Sequence, residues 1–262
     1  MENKDKDNNI SMVTNILKTT KETLPKTTNS IDELGSSIFD FCNSVLLYQL
    51  KKYTKKYKNK LKSFDEDLDN NLMKIPKEYQ KPIDVRLLGN VWENLKYSLE
   101  EDDIRKMFLN LLTSAADSRK KTVIHPSYVQ IISKMDSFDA NLFKILVSKE
   151  AIQAINPQII IKNSGELYEN VLPEWFILLD GTMDIFQVSA SLIRLSKFGI
   201  IDLLNNTIGD SSECDFLVNS HIIKKILKNC QEESPNKEID MVVGYGLVKV
   251  NDYGKQFADV CL

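Results

Sequence analysis

MVVGYGLVKV, residues 241–250, decides what kind of protein this is. Its valines and its tyrosine suit a pleated strand, while Gly244 and Gly246 suggest a glycine bend within it. Most of the chain instead carries the three-to-four-residue apolar period of helices, so this stretch separates an all-helical bundle from a bundle followed by a mixed module. PQIIIK, residues 157–162, is a second strand: short, β-branched and bounded by turn formers. Between the two, DIFQVSASLIRLSKFGII (184–201) reads as a helix stopped by Gly199, and CDFLVNSHIIKKILKNC (214–230) as another. NDYGKQFADVCL (251–262) closes the chain with a helix capped by Asn251. Helix, helix, strand pair and closing helix together predict a winged-helix-like α+β module over residues 156–262.

Toward the N-terminus the strand signals disappear. Phe39, Cys42, Leu46, Leu50, Tyr53, Tyr57, Leu61, Phe64 and Leu68 follow at steps of three or four, which predicts one long amphipathic helix from about Ser36 to about Met73, ended before Pro76. Its polar side carries seven lysines with no acid among them: Lys51, Lys52, Lys55, Lys56, Lys58, Lys60 and Lys62. DVRLLGNVWENLKYSL (84–99) and EDDIRKMFLNLLTSAADSRK (101–120) give two more helices, the second with Ile104, Phe108, Leu111, Leu112 and Ala115 facing in and a capping box expected from Ser98 and Glu101. HPSYVQIISKM (125–135) opens a helix at Pro126, and DSFDANLFKILVSKEAIQAI (136–155) a further one capped by Asp136 or Ser137. The fold class is therefore mainly α: a polar, loosely ordered arm over 1–34, a helical bundle over 35–155, then the winged-helix-like module.

Composition sets the bounds on function. The formal net charge of −3 on 262 residues supplies no global field for nucleic acid or an anionic membrane. Cys42, Cys214, Cys230 and Cys261 form no CxxC pair, and His125 and His221 add no metal-ligand spacing, so no metal and no cofactor are expected. Scattered thiols, the lack of an apolar leader core and the lack of a 20-residue apolar window point to a cytoplasmic protein.

No reaction centre emerges either. His125 is expected to help start a helix, its imidazole accepting from a free first-turn N–H, and His221 to lie mid-helix on the surface. Nine dispersed glycines make no phosphate loop, and Glu100, Glu101, Asp102 and Asp103 sit where a helix N-terminus favours negative charge. Two groups of residues have a binding reading beside a plain one. The lysine run is either the solvated side of a helix or a contact for an anionic partner or membrane. Arg194 and Lys197 are the cations a winged-helix recognition helix would offer, yet residues 187–262 hold 8 Lys and Arg against 10 Asp and Glu, which argues against a DNA reader.

VRLLGNVWENLKYSLEEDDIRKMFLNLLTSAADSRKKTVIHPSYVQIISKMDSFDANLFKIL (85–146), SLIRLSKFGII (191–201) and VNDYGKQFADVC (250–261) together resemble the Abi-alpha family of bacterial abortive-infection proteins. Asn251 stands where the family pattern has threonine, and Phe198 takes the leucine position before Gly199. The resemblance implies a part in phage defence, in which an infected cell stops growing or dies before virus is released. It carries over no catalytic residue. The expectation is a non-enzymatic defence protein that acts on a phage or host protein, with a homo-oligomer built on the long helix as one form it takes. The alternatives are a nucleic-acid-binding regulator and a membrane-perturbing effector using the basic helix over 36–62.

Overall fold

The computed structural model describes residues 55–262 except 122–123, 150, 169–170, 180–182 and 210. Those residues are mainly helical with one small antiparallel sheet. Contacts divide the chain into two units, one holding residues up to 93 together with 111–121 and the other holding 94–110 together with 122–262.

The first unit contains α1 (Lys55–Met73) and a 3-10 turn at Lys77–Tyr79, and helices α2 (Val85–Ser98) and α3 (Asp102–Ala116) each contribute part of their length to it. The long helix ends where Pro76 requires, and Leu61, Phe64 and Leu68 are buried as the period predicted; everything before Lys55 lies outside the described residues. Phe64 meets Trp92 edge-on at 5.6 Å between ring centres. The turn after α1 is held by Gln80, whose amide donates to the carbonyls of Leu72 and Ile75. Asp117 takes a forked bond from Arg119, which holds its carboxyl below the usual carboxylate range, and the guanidinium lies 5.1 Å from the centre of the Tyr79 ring.

The second unit runs α4 (Ser127–Lys134), α5 (Ser137–Val147), β1 (Ala151–Ile161), α6 (Ile185–Lys197), β2 (Ile201–Asn205), α7 (Ser211–Val218), α8 (His221–Glu233), β3 (Ile239–Val250) and α9 (Asp252–Cys261). The strands pair antiparallel in the order β1-β3-β2. Several expectations are corrected. The helix read through residue 155 stops at Val147, and AIQAI begins β1; the border read between 155 and 156 falls inside that strand. Pro157 does not start the strand but sits within it. This is tolerated because β1 is an edge, and its odd-numbered residues turn their N–H groups away from β3: Ile155 donates to Phe176 and Ile161 to Glu166. Residues 214–230 form parts of two helices, broken at Asn219 and Ser220, and His221 is the first residue of α8, after the Ser220 cap. Glu101 makes no box with Ser98, the last residue of α2; its carboxylate accepts from Ser137 N–H instead. β2 was not read from the sequence at all.

The glycines of MVVGYGLVKV do not bend the strand out of the sheet: β3 is continuous over 12 residues. What changes along it is the buried face. Ile239, Met241 and Val243 pack against a core of Ile155, Ile159, Phe176, Leu217, Ile223 and Cys230, which β1, α7, α8 and the segment bonded to the outer side of β1 supply. From Gly246 onward the even residues are buried instead, with Gly246, Val248 and Val250 on the opposite face. Gly246 sits at the border, where a Cβ would stand 2.6 Å from the Trp175 ring and 2.8 Å from the Leu204 carbonyl oxygen.

Helix ends are set by the residues the sequence singled out. Gly199 adopts φ 76°, and the Ile200 N–H returns to the Leu195 carbonyl at 3.3 Å, which closes α6 in a Schellman turn. Asp136 and Asp139 form a capping box at α5. Asn251 caps α9 by accepting from Gly254 N–H at 2.9 Å, and its amide donates to the Gly199 carbonyl and to Asp202, both at 3.0 Å. A threonine in that place would keep the cap and lose those two donors. Gly254 is compulsory, because a Cβ there would lie 1.9 Å from the Ile200 carbonyl oxygen.

Candidate functional site

Pro126 has φ −56°, ready for a first helical turn, so the chain enters α4 with the His125 ring beside the new N-terminus. The Ser127 N–H donates to His125 Nδ1 at 3.3 Å, which is the capping role expected of this imidazole. Ser127 Oγ lies 2.5 Å from the same nitrogen and also bonds the Tyr253 hydroxyl, so α4 is joined to α9 across 126 positions of sequence. Tyr253 then packs at a tilt against Tyr128, with ring centres 5.5 Å apart, and Tyr128 meets Phe257 edge-on at 5.3 Å.

Tyr128 is fully buried, and its hydroxyl has no hydrogen-bond partner among the described residues. Burial, with the neighbouring Tyr253, Cys261 and Asp259, pushes its phenol up to about 12. Burial likewise pushes the Cys261 thiol well above its ordinary value. Serine beside imidazole is the pairing of a nucleophile and its base. Here both of the imidazole's hydrogen bonds among the described residues go to Ser127, with no carboxylate orienting the ring. The arrangement joins α4 to α9.

A second polar group binds α5 to α6. Asp139 is 1% exposed and accepts from Ser191 Oγ at 2.5 Å and from Arg194 Nη2 at 2.7 Å, with Arg194 Nε adding a further bond. Hydrogen bonding to Asp139 is the main cause that raises the Arg194 guanidinium above its ordinary value. Of the two cations expected on the recognition helix, Arg194 is therefore bound within the fold, and Lys197 is exposed.

Of the lysine run, Lys51 and Lys52 lie outside the described residues, and Lys55, Lys56 and Lys58 fall on α1 without described side chains. Lys60 is half-buried, and Lys62 is exposed with Glu66 3.6 Å away. The structure adds a stripe that the sequence reading passed over: His221, Lys224, Lys225 and Lys228 are all exposed on α8 at helical spacing. The signal that finds it is the first-turn position of His221, visible only once Ser220 is recognised as a cap. Cys214, Cys230 and Cys261 are buried thiols, and no group of three His, Cys, Asp or Glu among the described residues is placed to hold a metal. No described helix is long and apolar enough to cross a membrane.

Comparisons with known proteins bear on these residues. No curated protein matches the chain. Among solved structures, an uncharacterized protein from the hydrocarbon-degrading marine bacterium Alcanivorax borkumensis SK2 is similar at 12% identity and a TM-score of 0.32, covering 51% of this chain and 90% of its own. The profile of the abortive infection alpha family matches residues 56–261, which takes in the His125–Tyr253 clasp, the Asp139–Arg194 group and the Gly199 and Gly254 turns alike. The chain belongs to the abortive infection alpha family.

Proposed function

We propose that this protein is a non-enzymatic, cytoplasmic component of phage defence of the abortive-infection type, acting through a phage or host protein to arrest the infected cell. The family match over 56–261 carries this reading. The hydrogen-bonded residues of the two polar groups join helices to one another, which supports a binding protein over an enzyme. The sheet order β1-β3-β2, with α6 leading directly into β2, supports a winged-helix-like module used for protein contact.

The test is a phage panel on a bacterial host expressing the chain, with plaque number and host survival measured at low and high phage dose. Fewer plaques with cell death at high dose support the reading. Normal plaquing across the panel removes it.

A second reading, nucleic-acid binding, draws on the α8 stripe. His221, Lys224 and Lys225 lie in the N-terminal half of the helix, whose own dipole is positive at that end, while Lys228 lies past its middle, 3.6 Å from Glu232. Gel retardation that weakens with salt and is lost when Lys224, Lys225 and Lys228 become Glu would favour it; no shift at low salt would dismiss it.

A further inference from the structure

We draw no further inference here: the strongest candidate, the side of β3 over Val243–Tyr245 that β2 leaves unpaired, with Val242 and Tyr245 exposed beside it, carries nothing because nothing in the structure shows what covers it.

Discussion

The two ends of β3 are one strand in two environments. From Gly246 to Val250 it is flanked by β1 and β2, and its even side chains are buried. From Ile239 to Tyr245 it is flanked, among the described residues, by β1 alone, with Ile239, Met241 and Val243 half-buried and Tyr245 exposed. The glycines register the difference. Gly246 is a necessity of packing against Trp175 and Leu204, whereas Gly244 has ordinary clearance around it. The same residue type thus marks a closed end and an open one. Composition cannot tell them apart, because what decides is the atom that stands over each Cα.

Substitutions sharpen the contrast in descending order. Gly254→Ala drives a methyl into the Ile200 carbonyl beside the closed end; neither backbone can yield, so a loss of about 3 kcal/mol or more is expected in urea unfolding. Asp139→Ala removes the carboxylate between the helices α5 and α6 and strands Ser191 and a partly exposed Arg194, costing about 2 kcal/mol in the same assay. Gly246→Ala strikes the border and should cost about 1–2 kcal/mol, since the Trp175 ring can shift in part. Gly244→Ala, two residues away, should change stability by less than about 0.5 kcal/mol. Equal costs at 244 and 246 would break the comparison.

Tyr128 gives a test of another kind. Its phenol is pushed up to about 12, so between pH 10 and that value the unfolded chain releases a proton that the folded chain keeps. Stability is then complete below pH 10 and falls as pH rises toward 12, and Tyr128→Phe should flatten that fall. Because the hydroxyl has no partner among the described residues, the same substitution should also raise stability at neutral pH by about 1 kcal/mol, read from the unfolding midpoint.

Local chemistry was legible in the sequence wherever one residue type answers one local need. Gly199 ends its helix, Asp136 and Asn251 cap theirs, and Leu61, Phe64 and Leu68 face inward because a 3.6-residue period leaves no alternative. AIQAI failed because two Ala-Ile pairs around Gln153 suit a helix flank as well as a strand, and only pairing with β3 settles the matter. β2 is five residues long and ends in Asn205, too short to show a period. The clasp was half legible: the cap at His125 follows from the His-Pro pair, but its bond to Tyr253 spans 126 positions and depends on how α9 packs. Arg194 looked like a free cation because its counter-charge, Asp139, lies on another helix.

Pro157 has a consequence for growth. Strand pairing can continue without limit only if each added molecule offers a fresh edge. Along the outer side of β1 that edge is taken from Ile155 to Ile161: Ile155, Ile159 and Ile161 already bond a neighbouring segment, and Pro157 has no N–H to give. A strand arriving on that side would therefore find no continuous row of free donors over Ile155–Ile161, which removes this stretch of the sheet as a route to a fibre.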